Sequence, residues 1–353
     1  KVVCDIEEAI AKEAKDRFGF EEAVTDWKEV VNNPDIDVIS ICTPNDSHAE
    51  IAIAALEAGK HVYCEKPIAS THQDAKAMND AAEKAAKKGI ISMCAYQYRR
   101  VPAIVLAKKF IDEGSIGEIL NVRAQYLQSW SADPESPLSW RVQKAIAGAG
   151  TLGDIATHVI DISQYLAGNI SEVVSTVKTY INERPVQESG VDSLGTVKLS
   201  GDVKKEPVDV DDEASFLVNF ESGAVGSIEA TRNAWGRNNF IYIEVHGTKG
   251  SLIFNYERLN ELQVMFADDP DDRKGFKTIY TGPAHFYGEV TWNIPGMNIG
   301  YGELKTIEAY EFIKAVATGE QPSTSFAEGY KVDLVTEAVL KSAETRAWTK
   351  VAE

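Results

Sequence analysis

Hydrophobic residues in the first hundred positions alternate between short continuous runs and longer stretches of helical periodicity. The periodic stretches predict helices over residues 6–18, 26–32, 47–58 and 71–87. Continuous apolar strands that alternate with helices are typical of a parallel sheet covered on both faces. The pattern therefore predicts a doubly wound α/β domain over residues 1–98.

After a predicted helix at 101–113 the pattern changes to longer, strand-like runs. These runs predict strands at 119–129, 172–181, 214–220, 224–232, 240–246 and 251–255, with closing helices at 303–318 and 327–343. Glycine-containing turns between several of them are typical of hairpins. Residues 99–353 should therefore form an α+β domain with a large, mostly antiparallel open sheet. The polar stretch 182–212 is expected to be a surface excursion.

Length and charge narrow the class of protein. A chain of 353 residues should divide into about two domains. Its net charge of -18 disfavours binding to nucleic acid or to anionic membranes. No run approaches the roughly 20 apolar residues of a membrane span, so we expect a soluble, cytoplasmic protein with no nucleic-acid or membrane partner.

Four cysteines each end a short apolar run. They are Cys4, Cys42, Cys64 and Cys94. Their spacing has no C-x-x-C pair or Cys/His cluster, which disfavours a zinc site or a disulfide framework. We therefore expect all four side chains to be buried.

Polar residues follow several of the predicted parallel strands. Ligands of doubly wound sheets bind beyond the carboxyl ends of the strands. The polar residues at these ends are Asp5, Thr43, Pro44, Asn45, Glu65, Lys66, Gln97, Tyr98 and Arg99. We expect them to line one edge of the sheet.

The segment after residue 150 carries candidate proton-transfer chemistry. Asp154, His158 and Asp161 are spaced i, i+4, i+7, so a helix would place all three on one face. A carboxylate four residues from an imidazole can orient it and raise its basicity. With Lys66, these residues predict a proton-handling site. A metal-dependent hydrolase or isomerase with the three residues as ligands is the alternative, disfavoured because no further cluster completes a ligand set.

Residues 148–153, Gly-Ala-Gly-Thr-Leu-Gly, match the G-x-G-x-x-G pattern of dinucleotide sites. That fingerprint requires a preceding strand, whereas 140–147 is predicted to be helical or irregular. We therefore assign the glycines to close backbone approach and to the start of the helix that bears Asp154 and His158.

The fingerprint expected before the first helix is missing from the sequence. The chain opens on an apolar run that ends at Asp5, as a second strand of a dinucleotide fold would. A first strand, glycine-rich loop and helix would add about 30 residues. We expect either a truncated sequence, which we favour, or a protein that has lost half of its phosphate site. The given chain should then bind a dinucleotide poorly.

These residues together resemble the Gfo/Idh/MocA oxidoreductases. The matching positions, in the family's order, are Asp5, residues 42–45 with His48, residues 65–67, and Asp154, His158 and Asp161. The resemblance implies a Rossmann-type domain and an α/β domain whose open sheet forms a homodimer or homotetramer. It also implies hydride transfer between NAD and a hydroxyl or keto group of a cyclic sugar or polyol.

The resemblance assigns roles residue by residue. Lys66, Asp154 and His158 would be catalytic, and the cofactor would be held by Asp5, Thr43, Pro44, Asn45, His48, Glu65, Lys66 and Gln97. A carboxylate at the adenosine ribose repels a 2′-phosphate, so Asp5 favours NAD over NADP as the cofactor.

Two further segments are similar to the branch of the family that contains levoglucosan dehydrogenase and 1,5-anhydrofructose reductase. They are residues 98–103 and 137–141. This similarity adds Tyr98, Arg99, Trp140 and Arg141 as substrate contacts beside the catalytic residues. The other interpretation of Trp140 and Arg141 is a packed aromatic beside a structural salt bridge.

Two departures from the family leave the substrate open. Gln97 stands where many relatives have asparagine, and Met297 stands where some have histidine. A non-catalytic sugar-binding or regulatory homologue on the same fold remains the alternative function.

Overall fold

The computed structural model describes residues 1–186, 203–292 and 294–352. The chain forms two compact units. The first unit contains Lys1–Ala95 and Glu311–Tyr330, and the second contains Tyr96–Tyr310 and Lys331–Glu353. The sequence pattern placed the boundary at residue 98 and gave no sign that residues 311–330 return to the first unit.

The first unit alternates strands and helices, as the sequence predicted. Its elements are β1 (Val2–Cys4), α1 (Glu8–Phe18), β2 (Glu22–Val24), α2 (Trp27–Asn32), β3 (Val38–Ile41), α3 (His48–Glu57), β4 (His61–Cys64), α4 (His72–Ala86) and β5 (Ser92–Cys94). Strands β1 and β2 form a parallel pair, and β3, β4 and β5 form a parallel sheet in that order. The predicted parallel strands that alternate with helices are therefore present.

Capping residues explain where two of these helices start. The Asp26 side chain accepts the amide hydrogen of Lys28 at the start of α2, at 2.9 Å. The Thr71 hydroxyl accepts that of Asp74 at the start of α4, at 3.1 Å. Each cap satisfies an amide that the helix itself leaves unpaired.

The second unit contains the large sheet. Its elements begin with α5 (Pro102–Asp112), β6 (Ile119–Leu127), α6 (Lys144–Ala147), α7 (Thr157–Ala167), β7 (Ile170–Lys178), β8 (Glu183–Pro185) and β9 (Lys205–Pro207). They continue with β10 (Glu213–Phe220), β11 (Val225–Thr231), β12 (Phe240–Gly247), β13 (Gly250–Asn255), β14 (Glu261–Phe266), β15 (Lys277–Tyr280) and α8 (Gly288–Thr291). The last elements are α9 (Tyr301–Thr318), α10 (Phe326–Thr345) and β16 (Thr349–Lys350). Residues 311–318 of α9 and 326–330 of α10 belong to the first unit.

Nine strands form this sheet in the order β15-β14-β13-β12-β6-β11-β10-β7-β16. Only the β6–β11 pair among its described neighbours is parallel. The predicted large, mostly antiparallel sheet is therefore confirmed. Strands β8 and β9 form a separate antiparallel pair.

The large sheet has one buried face and one exposed face. Along β10, Ala214, Phe216 and Val218 are buried while Leu217 is exposed, the alternation expected of a sheet covered on one side. Helix α7 packs against β6. We call the opposite side the outer face. It bears a shallow depression of about 560 Å³, whose lining includes Arg123, Val174, Leu217, Ser227, Glu229 and Tyr242.

Two predictions about burial need correction. The polar stretch 182–212 is not simply a surface excursion, because Arg184, Asp211 and Asp212 near its ends are buried. Their charged groups bind backbone groups that bring them into the interior. Residues 187–202 of that stretch lie outside the described residues.

Burial of all four cysteines is also wrong. Cys64 and Cys94 are buried and Cys4 is partly exposed, but Cys42 is exposed. Cys42 follows the last residue of β3, where the chain leaves the sheet.

The helices of the described residues are too short or too polar to cross a bilayer.

Candidate active site

His158 lies in the first turn of α7 and follows a π-helical turn over Leu152–Ala156. The predicted helical stretch is therefore present, with a wider first turn than an α-helix has. Single π-helical turns are frequent at functional sites because they alter the direction of nearby side chains. The turn carries Asp154.

Three tyrosine rings surround the imidazole of His158. Its ring centroid lies 4.7 Å from that of Tyr98 and 5.9 Å from those of Tyr96 and Tyr126. All four side chains are buried. The imidazole is therefore held in a packed aromatic environment.

Burial affects the titration of two of these tyrosines. It raises the pKa of Tyr98, and it raises the pKa of Tyr126 well above its ordinary value. The hydrogen bond between the two hydroxyls lowers the pKa of Tyr98 and raises that of Tyr126. Both hydroxyls consequently stay protonated near neutral pH. Imidazole is the side chain in this cluster whose ordinary titration range lies near neutrality.

A polar network extends from these tyrosines. The Tyr126 hydroxyl donates to Asn239 Oδ1 at 2.7 Å and lies 3.0 Å from the Tyr98 hydroxyl. Gln128 donates to both Tyr126 and Asn239, and it accepts from the indole of Trp130. The network fixes the ring positions beside His158.

Asp154 binds a buried arginine. Its Oδ2 accepts from Arg232 Nη1 at 3.3 Å, and the Asp154 side chain is 21% exposed while that of Arg232 is 0% exposed. The Arg232 guanidinium also lies over the ring of Trp130, 5.1 Å from its centroid. Orientation of His158 by the Asp154 carboxylate stays a prediction.

Asp161 has a structural partner. Its carboxylate receives Nε and Nη2 of Arg99, at 2.9 Å and 2.7 Å, and both residues are buried. The guanidinium of Arg99 also lies over the Tyr165 ring. Arg99 therefore forms a buried ion pair with Asp161, and its contact with substrate stays a prediction.

The glycine-rich segment 148–153 follows a helix, α6, rather than a strand. A Cβ added at Gly150 would lie 2.0 Å from the carbonyl oxygen of Asp211. The predicted close backbone approach is thus present at Gly150. The helix before the segment excludes the dinucleotide fingerprint, which requires a strand there.

Trp140 and Arg141 lie in a short 3-10 turn, Trp140–Val142. Both are partly buried, and the Arg141 guanidinium lies 4.3 Å from the centroid of the Trp140 ring. The pair presents an aromatic surface with an attached cation. Its contact with substrate stays a prediction.

In the first unit, the residues after β3 and β4 are tied together by His48. The ring is fully buried, with Nδ1 3.0 Å from the carbonyl oxygen of Pro67 and Nε2 3.0 Å from that of Thr43. His48 therefore positions these two loops, since both ring nitrogens face backbone carbonyls, and its contact with the cofactor stays a prediction.

The loops themselves remain accessible. Thr43 and Pro44 are exposed, and Glu65 and Lys66 are partly exposed. Asn45 is buried in a short 3-10 turn. The peptide bond between Lys66 and Pro67 is cis. These residues lie at the carboxyl ends of parallel strands, where a dinucleotide binds in such folds.

Two observations fit an NAD site. Asp5 follows β1 and is partly exposed, and its Oδ1 accepts the amide of Glu7 at 2.9 Å, which orients the carboxylate. Gln97, in the second unit, has a buried side-chain oxygen with no hydrogen-bond partner among the residues described. A buried amide oxygen needs a donor, which a bound group can supply.

The metal alternative has a concrete obstacle. Asp154 and Asp161 bind Arg232 and Arg99 respectively, and guanidinium groups occupy the oxygens that a metal would need. Residues 1–186, 203–292 and 294–352 contain no cluster of three or more His, Cys, Asp and Glu side chains suited to a metal ion.

Comparison with known families defines the class. The family described as "Oxidoreductase family, NAD-binding Rossmann fold" matches residues 1–92, and the "GFO/IDH/MocA C-terminal domain" matches residues 104–253. The chain belongs to the Gfo/Idh/MocA family, and it is an NAD-dependent sugar oxidoreductase.

Several individual members of the family are similar to this chain. The chain is 57% identical over 351 residues to levoglucosan dehydrogenase of Pseudarthrobacter phenanthrenivorans, covering 99% of this chain and 89% of the relative. It is 32% identical to 1,5-anhydro-D-fructose reductase of Ensifer adhaerens over 67% of this chain and 62% of the relative. A solved structure, "Levoglucosan dehydrogenase, complex with NADH and levoglucosan", matches with a TM-score of 0.92 and 55% identity, covering 100% of this chain and 90% of that one.

Several residues around the site escaped the sequence analysis. They are Tyr126, Gln128, Trp130, Asn239, Asp211 and Arg232. Tyr126 lies on a strand, where a tyrosine is an ordinary residue, and the aspartate and arginine lie in or beside polar sequence. Their roles follow from pairing in three dimensions, for which the sequence holds no local signal.

Proposed function

We propose that this chain oxidises a hydroxyl group of a cyclic sugar, with His158 as the proton acceptor and levoglucosan as the preferred substrate. The observation that carries the proposal is the buried imidazole enclosed by Tyr96, Tyr98 and Tyr126, one turn after Asp154. The choice of sugar is supported by the 57% identity to a levoglucosan dehydrogenase.

Removal of the hydroxyl proton is assigned to His158. Alcohol oxidation releases this proton as the carbon-bound hydrogen departs as hydride, and a positioned base accelerates such a step. The buried hydroxyls of Tyr98 and Tyr126 cannot act as bases near neutral pH because burial raises their pKa values. A ring nitrogen of His158 therefore takes the proton, and Asp154 stabilises the resulting imidazolium.

NAD, when bound, supplies the hydride acceptor. On this chain Asp5 would hold the adenosine ribose, and Thr43, Asn45 and Gln97 would contact the rest of the cofactor. Lys66 would donate a hydrogen bond to the reacting oxygen and stabilise the negative charge that develops there. Placement of Lys66 beside the His158 ring is part of this proposal, since the two residues belong to different units.

The sugar ring would contact Trp140 and Arg141. Their side chains are already stacked on one another, so little conformational freedom remains to be lost on binding. An indole surface suits the C–H face of a sugar, and a guanidinium donates to its hydroxyls. This pair is our candidate for the substrate's orientation.

A substrate panel tests the proposal. NADH formation from NAD would be followed with levoglucosan, myo-inositol and glucose, and with 1,5-anhydro-D-fructose in the reverse direction with NADH. We expect the highest kcat/KM with levoglucosan. A higher kcat/KM with an inositol would overturn the choice of levoglucosan as the substrate. Binding of sugars without any NADH formation would favour the non-catalytic alternative.

We further propose that two copies of this chain pack through the outer face of the large sheet. Leu217 and Val225 are exposed there, and Val174 pairs with Leu217 in register. Exposed apolar residues on a sheet face favour burial against a partner, and a second copy is the partner that we choose. Whether the assembly is a dimer or a tetramer, and whether it is cytoplasmic, stay predictions.

A further inference from the structure

Asp211 lies just before β10, far in sequence from the proposed proton-transfer pair. The residue is 5% exposed. Its Oδ1 accepts the amide hydrogen of Gly150 at 2.8 Å, and its Oδ2 accepts that of Leu152 at 2.7 Å. One carboxylate thus binds two amides of the segment that leads into the π-helical turn.

Backbone carbonyl oxygens of Asp211 and Asp212 also bind this segment. The amide of Thr151 donates to the carbonyl oxygen of Asp211 at 3.0 Å, and the Thr151 hydroxyl donates to that of Asp212 at 2.9 Å. No side chain could stand at Gly150, since a Cβ there would lie 2.0 Å from the Asp211 carbonyl oxygen. Residues 150–152 are therefore anchored by both main-chain and side-chain contacts.

This anchor adjoins the catalytic groups. Leu152 opens the π-helical turn Leu152–Ala156, and the amide of Asp154 donates to the carbonyl oxygen of Gly150 at 2.9 Å. The carboxylate of Asp154 then reaches Arg232, and His158 follows in the next turn. A shift of residues 150–152 would move both side chains.

Burial of the Asp211 carboxylate costs free energy, which its hydrogen bonds must offset. Burial raises the pKa of Asp211, while the hydrogen bond from Leu152 and the positive charge of Arg232 oppose that rise. Buried ionisable groups cost free energy unless they are hydrogen-bonded. A carboxylate can accept both amides at once, whereas an asparagine has a single acceptor oxygen.

We propose that Asp211 is a positioning residue, which sets the direction of Asp154 and His158 by anchoring residues 150–152. The proposal rests on the proposed function of those two residues. Asp211 acts through the turn that it holds and does not itself touch the sugar or the cofactor.

The test compares two isosteric variants, Asp211→Asn and Asp212→Asn. Asp212 is a matched control because it is 0% exposed and its Oδ2 also accepts two amides, those of Tyr180 and Ile181, outside the catalytic segment. Its contact with Thr151 is made by the backbone carbonyl oxygen, which Asp212→Asn keeps. We expect Asp211→Asn to lower kcat about 10- to 100-fold, the range caused by displacement of catalytic groups. The KM for NAD should be unchanged and the pH profile of kcat should shift.

The control should lose thermal stability to a similar degree while its kcat and pH profile stay those of the unaltered protein. Equal kcat values for the two variants would overturn the proposal, since Asp211 would then be only a structural residue.

A milder variant covers the case in which Asp211→Asn does not fold. Thr151→Val is also isosteric and removes only the hydroxyl contact with the Asp212 carbonyl oxygen. A lowered kcat with unchanged KM for NAD would support the anchoring of residues 150–152, and an unchanged kcat would overturn it.

His158→Asn separates this proposal from the proposed function. If His158→Asn keeps full turnover, the proposed function fails, whatever Asp211 does. If His158→Asn loses turnover while the Asp211 and Asp212 variants have equal kcat, only the positioning role fails.

Discussion

His48 illustrates how one buried side chain can hold two loops together. Its ring nitrogens reach the carbonyl oxygens of Thr43 and Pro67, in the two loops that hold Asn45 and Lys66. Carbonyl oxygens only accept hydrogen bonds, so a protonated ring would satisfy both contacts and a neutral ring one. Burial nevertheless favours the neutral form, because it removes the charged ring from water.

The first prediction concerns pH. Burial lowers the pKa of His48, and the hydrogen bonds to Thr43 and Pro67 raise it by less. Below about 6.5 the unfolded chain binds a proton on this ring more readily than the folded chain, so stability should fall as the pH falls through that value. Urea denaturation of His48→Gln at a series of pH values should show a weaker dependence than the unaltered protein. Burial also lowers the pKa of His61, so this residue contributes to the pH dependence that the His48→Gln variant keeps.

If the stability of His48→Gln depends on pH as strongly as that of the unaltered protein, the predicted titration of the His48 ring is wrong. The same variant also tests the role of the ring in cofactor binding. Because His48 positions the loop after β4, the variant should also bind NAD more weakly at neutral pH.

The second prediction concerns the pair Asp154 and Arg232. Nε and Nη2 of Arg232 have no hydrogen-bond partner among the described residues, and the guanidinium is fully buried. Loss of the Asp154 carboxylate would therefore leave a buried cation poorly compensated. Urea denaturation of Asp154→Asn, Arg232→Met and the double variant should give a coupling energy of about 1 kcal/mol or more, since contacting residues couple. Additive single effects would show that the two side chains do not stabilise one another.

Single residues also show what the sequence could predict. Asp154 and His158 were recognisable because their spacing and the family resemblance both point to them. Asp211 and Arg232 were not, since a charged residue in a polar stretch is ordinarily exposed. Their burial depends on amides and a carboxylate supplied by segments distant in the chain.

At the scale of elements, the segment 148–153 joins a short helix to the catalytic turn. Neither Gly150 nor Gly153 has a left-handed backbone, so backbone conformation does not require glycine at these two positions. Gly150 is required for lack of space, because the Asp211 backbone lies in the volume that a Cβ would take. The sequence pattern suggested this close approach but could not name the partner.

The third prediction compares two substitutions in that segment. Gly150→Ala should destabilise the protein by about 1–3 kcal/mol or more, because its Cβ would overlap backbone atoms that cannot move independently. Gly153→Ala is the matched control, since its Cβ would meet the Ala149 Cβ at 3.3 Å, a tight but smaller intrusion. Urea denaturation gives both free energies of unfolding. Equal losses would argue against the rigid contact with Asp211.

The helices and strands were predictable to different degrees. Capped, strongly periodic helices such as α2 and α4 begin within one residue of their predicted starts. The π-helical turn was not foreseen, because a sequence pattern with helical spacing does not distinguish the width of a single turn. That turn carries Asp154, whose carboxylate binds Arg232, whereas Asp161 in α7 binds Arg99.

At the scale of the whole molecule, the two units are not continuous in sequence. Phe312 and Ala315 of α9 form a buried cluster with Ile91 and Met93 of the first unit. The amphipathic pattern of α9 predicts a helix but cannot say which sheet it covers. The return of residues 311–330 to the first unit was therefore beyond the reach of the sequence pattern.

The fourth prediction concerns assembly through the outer face. Leu217 and Leu120 are both 52% exposed. Leu217 lines the depression of the outer face, whereas Leu120, at the register irregularity between β12 and β6, does not line it. Leu217→Asp should dissociate the assembly, because a carboxylate would have to be buried at the contact, and Leu120→Asp should leave it intact. Light scattering after size-exclusion chromatography measures both masses. A monomeric unaltered protein, or an intact Leu217→Asp assembly, would contradict the proposed interface.

The most direct test of the proposed mechanism is the pH dependence of NADH formation from levoglucosan by the unaltered protein and by His158→Asn. With the imidazole as proton acceptor, the variant should lose about 10²- to 10⁴-fold in kcat near neutral pH, the usual contribution of a general base. Part of that loss should be recovered as the pH rises, since hydroxide can then take the proton. A His158→Asn variant that keeps the kcat and pH profile of the unaltered protein would contradict the assignment of His158 as the base.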